Sequence, residues 1–305
     1  MGLLGAIPGA ISQGLIWGIM AVGVYITYKI MDIADLTVDG SICTGAVVCT
    51  MLVINGFNVW FAMLCALIAG MITGIITGFF HAAFGIPPIL SGILTQLILW
   101  SVNLKIMGKA NQSISARNYK VIIAQMNVTK SVFVLIAFIV VMIAVLYWFF
   151  GTELGCSLRA TGCNAYMSRA QGINTSKNNI IGLALSNGIV ALAGALLCQY
   201  QGYTDINMGR GAIVIGLAAV IIGEAVAAKI STNFAVRLSG VVIGGVIYYI
   251  IYQIVVYIGF DTDLLKMFSA LVVAVFLGFP HLKTKFAGKF KRKCVDVNVD
   301  STDGK

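Results

Sequence analysis

Charged side chains are scarce in this sequence. Asp, Glu, Lys and Arg make up 10% of the 305 residues, whereas hydrophobic residues make up 59%. A soluble globular protein carries about 25% charged residues. So few charges cannot cover a surface that faces water, and most of the chain must therefore be solvated by lipid. Because the apolar runs are continuous and lack the alternation of a membrane barrel, the sequence predicts an all-α, polytopic membrane protein.

The sequence also lacks the motifs of several chemistries. It contains no Gly-x-x-x-x-Gly-Lys-Ser/Thr loop, so we expect no ATPase site of that kind and no enzyme activity. His81 and His281 stand far apart and the seven cysteines have no zinc-like spacing, so we predict no metal site and no cofactor. No acidic or histidine pair, and no serine with a base, stands at catalytic spacing. We therefore predict no catalytic residue.

Nine apolar runs are present along the chain. Because a bilayer core of about 30 Å needs about 20 apolar residues per helix, they predict about nine transmembrane helices, with a range of eight to ten. The second run is shorter than a usual span, which predicts a tilted, broken or partly re-entrant segment. The runs are 7–28, 41–54, 59–80, 88–107, 131–150, 179–200, 211–228, 238–258 and 264–280.

Basic residues are concentrated at the C-terminus, where residues 281–305 hold seven of the 20. This tail lacks the interleaved aromatic residues of a nucleic-acid groove, so we predict contact with anionic lipid and no nucleic-acid partner. With the tail placed inside, alternating helices leave 13 of the 20 basic residues inside. The sequence therefore predicts an outside N-terminus and a cytoplasmic C-terminus. Residues 105–130 argue against this, because they carry five basic residues and fall outside.

The chain reads as one transmembrane domain, residues 1–280, followed by the basic tail 281–305. Two polar stretches resemble each other, since Asp35-Leu-Thr-Val-Asp-Gly and Asp205-Ile-Asn-Met-Gly-Arg-Gly each open an apolar run. They indicate either an inverted repeat, with halves 7–150 and 179–280, or a coincidence of residues that are common between helices.

The longest polar stretch between apolar runs, residues 151–178, contains a patterned segment. Thr161 or Asn164 can serve as an N-cap for a short helix from Ala165 to Gln171. Gly172 can then supply a left-handed C-cap. We expect this helix to lie on the cytoplasmic side as a contact for another protein. It would present basic residues at the surface, Arg159 and Arg169, and small residues toward a partner, Ala160 and Ala170.

These residues resemble the coupling loop of a known family, the ABC importer permeases of the branched-chain amino acid and ribose type. Leu158-Arg-Ala-Thr-Gly-x-Asn and Arg169-Ala-x-Gly-Ile-Asn carry the resemblance in the loop. One branch of that family, linked with aromatic amino acids, is similar over roughly residues 10–280. Its further matching stretches are Asp35-Leu-Thr-Val-Asp-Gly-Ser, residues 81–92, residues 103–111 and residues 199–211.

The resemblance implies a permease subunit in a bacterial inner membrane, without its own ATPase site. Its implied partners are an ABC ATPase subunit, an extracellular substrate-binding protein and a second permease, which is a second copy in a homodimer or a related chain in a pseudo-dimer. The solute would be an amino acid or a related small molecule. The residues implied to dock on the ATPase are Arg159, Ala160, Thr161, Gly162, Asn164, Arg169, Ala170 and Gly172.

Two other functions stay open from the residues alone. An ion-coupled secondary transporter would need a carboxylate cluster inside the membrane, and Glu224 is the one acid clearly within an apolar run. A non-transporting scaffold is disfavoured by the glycine-lined helices and the apparent inverted halves.

Several polar residues near the apolar runs are candidates for the translocation path. The alternatives are helix capping for the aspartates and an interfacial anchor beside Lys229 for the glutamate. The candidates are Asp35, Asp39, Asn103, Asp205, Asn207 and Glu224.

Overall fold

The computed structural model describes residues 3–114, 119, 121–227 and 233–257, together with residues 267 and 274. The helices are α1 (Leu3–Tyr25), α2 (Val38–Ile54), α3 (Val59–Phe84), α4 (Pro88–Met107), α5 (Val128–Gly151), α6 (Glu153–Cys163), α7 (Ala165–Ala170), α8 (Thr175–Gln201), α9 (Ala212–Ala227) and α10 (Phe234–Tyr257). A π-helical turn, Ile26–Ile30, extends α1, and a 3₁₀ turn, Gln125–Asn127, precedes α5. Two short strands, β1 (Asn111–Ser113) and β2 (Tyr203–Asp205), pair antiparallel.

Six of the described helices are long and apolar enough to cross a membrane, and the fold is that of a multi-pass helical membrane protein. They are α3, α4, α5, α8, α10 and the stretch Ile7–Ile30, which joins most of α1 to the π-helical turn. The shorter apolar helices α2 and α9 bring the matches to eight of the nine predicted runs. The run 264–280 lies largely outside the described residues and the tail 281–305 lies entirely outside them, so the number nine stays a prediction.

Local sequence explains where α3 and α4 begin and end. The side chain of Asn58 accepts a hydrogen bond from the backbone N–H of Trp60 and caps the start of α3. Gly85, with φ of 67°, ends that helix in the left-handed conformation. Pro88 then occupies the first turn of α4, where its missing N–H costs no hydrogen bond. The proline pair 87–88 therefore starts a helix.

Helix α8 packs at the centre of the bundle, antiparallel to α1 and α3. Close approach depends on glycine, because a Cβ atom built on Gly74 would overlap the backbone oxygen of Leu183. One turn earlier, Gly70 meets the backbone of Asn187 in the same way. Glycines at such contacts let membrane helices approach closely, which replaces the hydrophobic drive that lipid removes.

The two short helices, α2 and α9, begin at the same depth inside the bundle. Helix α2 runs parallel to α8, and Gly45 contacts Ala191 near the middle of α8. Helix α9 runs parallel to α1, where Gly216 contacts Val24. Since α1 and α8 are antiparallel, α2 and α9 leave their shared level in opposite directions. Helix α2 has 17 residues and the described part of α9 has 16, whereas a full span needs about 20, and both begin inside the bundle as discontinuous helices do.

The helix directions divide the connections between two ends of the bundle. One end carries α6 and α7, and we call it the α7 face. The other carries the pair β1–β2, and we call it the hairpin face. Residues 108–114, 121–127 and 202–205 therefore lie at the opposite end from residues 152–174.

Candidate functional site

The short helix on the α7 face has the caps that the sequence predicts. The side chain of Asn164 accepts hydrogen bonds from the backbone N–H groups of Tyr166 and Met167, at 3.1 and 3.0 Å. Gly172 follows α7 with φ of 80°. The alternative cap, Thr161, is wrong, because this residue lies inside α6.

Helix α6 was missed by sequence analysis, which treated residues 151–163 as part of a polar loop. It is anchored at two points to spanning helices. Asn178 of α8 donates hydrogen bonds to the hydroxyl oxygens of Ser157, at 2.6 Å, and Thr161, at 2.8 Å. At Gly162, α6 lies directly against the backbone oxygen of Ile30 at the end of the π-helical turn.

Arg159 provides a third anchor for α6. The sequence predicts this side chain at the surface, but it contacts aromatic rings of the same chain. Its guanidinium carbon lies 4.3 Å from the ring centre of Phe234 and 5.3 Å from that of Phe150. Its Nε atom is buried and has no hydrogen-bond partner among the described residues. Such cation–π contacts tie α6 to the first turn of α10. Arg159 is therefore placed to connect helices within the chain.

The outer surface of α7 is formed by two large side chains that sequence analysis did not single out. Tyr166 is 83% exposed and Met167 is 64% exposed. Arg169 is also exposed, and its guanidinium lies 5.9 Å from the ring centre of Tyr166. An aromatic residue and a methionine inside a polar loop were the signal that could have found this surface.

A shallow groove of about 260 Å³ runs beside these side chains. Ala160, Asn164 and Met167 contribute to its lining. Of the small residues expected to face a partner, Ala160 and Ala170 are both exposed. We call this exposed region the α7 surface, and it consists of the groove and the side chains of Tyr166, Met167, Arg169 and Ala170.

At the level where the short helices begin, Asp39 connects α2 to α9. Its two carboxylate oxygens accept hydrogen bonds from the backbone N–H groups of Gly211 and Ile213, each at 2.9 Å. The N–H of Ile213 belongs to the first turn of α9 and that of Gly211 directly precedes it, and the carboxylate also complements the positive end of that helix. Of the alternatives open for Asp39, the structure shows helix capping, and the helix that it caps is distant in sequence. Gly209 allows the approach, because a Cβ atom there would overlap the backbone oxygen of Asp39.

A cavity of about 280 Å³ opens beside this cap. Asp39, Trp100, Asn103 and Arg210 contribute to its lining. The structure therefore brings two of the predicted path residues, Asp39 and Asn103, to one site. It adds Arg210, which sequence analysis did not single out although it stands in the quoted stretch 199–211.

The other predicted path residues from the 205–211 loop lie nearer the hairpin face. Asp205 accepts a hydrogen bond from the backbone N–H of Asn207 at 2.7 Å, which is a local turn. Asn207 lines a second cavity of about 480 Å³ with Arg210 and several aromatic residues, among them Trp17 and Tyr249. Arg210 thus borders both cavities.

Asp35 belongs to a separate, fully buried polar cluster between α2, α3 and α8. Its carboxylate accepts hydrogen bonds from the backbone N–H of Thr37, at 2.9 Å, and from the side-chain amide of Asn187, at 2.7 Å. Asn187 in turn accepts from Ser41 at 2.6 Å. This network satisfies the groups that precede α2 and fixes its start against α8.

Glu224 lies apart from both cavities, toward the α7 face. Its carboxylate is 3.2 Å from the ammonium of Lys29, and both side chains are partly exposed. Lys229, its predicted neighbour, lies outside the described residues. The ion pair joins α9 to the end of the π-helical turn.

Comparisons with known proteins agree over nearly the whole chain. The family model described as branched-chain amino acid transport system, permease component, matches residues 7–278. The chain is 37% identical over 280 residues to a "Tyrosine transport system permease protein" of Clostridioides difficile, with 92% of each chain covered. It is 34% identical over 271 residues to "Uncharacterized protein RP368" of Rickettsia prowazekii, covering 88% of this chain and 95% of the relative.

Among solved structures, the chain is similar to a chain of "PsaBC from Streptococcus pneumoniae in complex with Fab". The TM-score is 0.48 and the sequence identity is 15%, with 90% of each chain covered.

Proposed function

The chain belongs to the family of branched-chain amino acid transport system permease components, and from this premise we propose how it works within an ATP-driven importer. It is the membrane-spanning subunit that passes an amino acid or related small solute. An extracellular binding protein delivers the solute, and a partner ATPase supplies the energy. A second copy of the chain completes the assembly in the lipid bilayer.

The α7 surface is the observation that carries this proposal. Exposed aromatic and methionine side chains on a short, capped helix are typical of a protein contact, since such residues are enriched at interfaces. Here they stand on a rigid support, because α6 is attached to α1, α8 and α10. A movement of the docked ATPase would thus reach three spanning helices at once.

The discontinuous helices provide the place where such movement would open or close a path. Helices α2 and α9 begin at one level, joined by Asp39. Broken helices of this kind surround solute sites in transporters that work by alternating access. We therefore assign Asp39 and Asn103 to the path, with Asp205 and Asn207 toward its outer mouth. Asp35 and Glu224 serve to hold neighbouring helices.

The α7 face is assigned to the cytoplasm and the hairpin face to the exterior. We expect an impermeant maleimide to label Cys163, an exposed residue of α6, in inverted vesicles and not in intact cells. The variant should keep Cys163 as its single cysteine. A cysteine-free chain with Asn111→Cys on β1 is the control, and it should show the opposite pattern. Labelling of Cys163 in intact cells would reverse the orientation and remove the docking role.

The energy source separates this proposal from an ion-coupled secondary transporter. We expect the chain to co-purify with its ATPase, and uptake in proteoliposomes to require both ATP and the binding protein. Glu224 gives little support to ion coupling, because Lys29 already neutralises it. Uptake that continues without ATP and stops when the ion gradient is collapsed would reject the ATP-driven mechanism.

The solute is proposed to be an amino acid. The relative that is named a tyrosine transport system permease supports an amino acid as the transported solute. The aromatic lining of the larger cavity is compatible with an aromatic side chain.

A further inference from the structure

The smaller cavity, beside the start of α9, contains charged groups of both signs at the level where α2 and α9 begin. Resting on the proposed function, we infer that it receives the zwitterionic head group of an α-amino acid in passage. Arg210 binds the carboxylate, and Asp39 and Asn103 bind the ammonium. All three line the same space of about 280 Å³.

Asn103 supplies an acceptor that has no partner in the part of the chain that the structure describes. Its side chain is 1% exposed, and its Nδ2 atom donates to the hydroxyl of Thr44 at 3.1 Å. That hydroxyl gives its own proton to the backbone oxygen of Gly40, so it can only accept from Asn103. With the amide nitrogen paired in this way, Oδ1 has no partner among the described residues. A buried acceptor left unpaired costs about 1–3 kcal/mol, which a donor such as an ammonium group would offset.

Asp39 and Arg210 supply the two charges. The carboxylate of Asp39 accepts two backbone N–H bonds, and about two of its four lone-pair sites remain free. Arg210 makes no ion pair, since the one found among the described residues joins Lys29 and Glu224. Its planar guanidinium suits a carboxylate, which it can bind with two parallel hydrogen bonds.

The arrangement favours a zwitterion over an ion of either sign. A simple cation would meet the positive guanidinium, and a simple anion would meet the carboxylate of Asp39. An amino acid offers both partners at once. Arg210 also borders the larger cavity with Trp17 and Tyr249, so a solute held there by its head group has aromatic walls beside it.

The test uses the permease with its ATPase and binding protein in proteoliposomes. The probes are the 20 common L-amino acids, each radiolabelled and offered separately. We expect Arg210→Gln to lower uptake of the transported amino acid at least tenfold while ATP hydrolysis stays within twofold of wild type. Arg210→Lys, which keeps the charge, should restore part of the uptake. Lys105→Gln removes an exposed cation at the end of α4 and should leave both rates unchanged.

The outcomes separate this inference from the proposed function. An assembly that does not form or does not hydrolyse ATP rejects the proposed function, and the inference with it. Hydrolysis with uptake of none of the 20 amino acids, or wild-type uptake by Arg210→Gln, overturns the inference alone. If both Arg210 variants lost uptake and hydrolysis in parallel, the residue would have a structural role. That result would also overturn the inference.

Discussion

Replacing Tyr166 with alanine is expected to weaken binding of the ATPase subunit about 30-fold and to reduce ATP-dependent uptake accordingly. Buried aromatic anchors at protein interfaces contribute about 2 kcal/mol or more, and each 1.4 kcal/mol changes the affinity tenfold. The side chain is 83% exposed in the single chain, so its removal opens no cavity in the fold. Titration of the purified permease with its ATPase measures the affinity directly.

Tyr203→Ala is the matched control for this prediction. Tyr203 is also an exposed tyrosine, but it lies in β2 on the hairpin face. Its replacement should leave the affinity for the ATPase unchanged. The melting temperatures of the Tyr166→Ala and Tyr203→Ala permeases should be equal. Wild-type affinity in the Tyr166→Ala permease would remove the α7 surface as the docking site.

Replacing Gly162 with leucine is expected to destabilise the fold by about 3 kcal/mol, the upper part of the range for overpacked sites. A Cβ atom at this position would overlap the backbone oxygen of Ile30, and backbone cannot move aside as a flexible side chain can. The variant should show a lower melting temperature in detergent and a smaller folded fraction in size-exclusion chromatography. Any loss of transport would then follow from misfolding.

Gly151→Leu provides the comparison. Gly151 ends α5 only 11 residues earlier, and a Cβ atom there would meet nothing within 4 Å. We expect its melting temperature to equal that of the wild type. If Gly162→Leu unfolds no earlier than Gly151→Leu, the contact between α6 and the end of the π-helical turn is not tight. For docking itself, Ala170 is the better position for a bulky replacement, because it is exposed.

Part of the α7 surface could be predicted because its signals are local. An asparagine cap and a left-handed glycine delimit α7, and both act on neighbouring backbone groups. Helix α6 also has a local cap, since the Thr152 hydroxyl accepts from the backbone N–H of Gly155, but its sequence Glu153–Cys163 is neither long nor strongly apolar, and it was read as loop. It is held in place by partners such as Asn178, which sequence spacing does not identify. The same reason explains why Arg159 was expected at the surface and lies against Phe234 instead.

The path residues show the same division. Capping was one of the alternatives for Asp39, but the helix that it caps is α9, and the bonded N–H of Gly211 just before that helix lies 172 residues later in the chain. Glu224 was paired in sequence with a nearby lysine, whereas the described structure pairs it with Lys29 of the π-helical turn. Arg210 had no reason to stand out until two cavities were seen to share it.

The sequence by itself determined that lipid surrounds most of the chain, that the fold is helical, where most helices lie and which family the chain belongs to. Composition, run length and cap chemistry act within a few turns of chain, so they can be read without a fold. Only the tertiary structure decided which polar groups meet, that α2 and α9 start at one level, and that α6 is tied to three helices. Those contacts arise from close packing between distant segments, and packing geometry is a property of the folded chain as a whole.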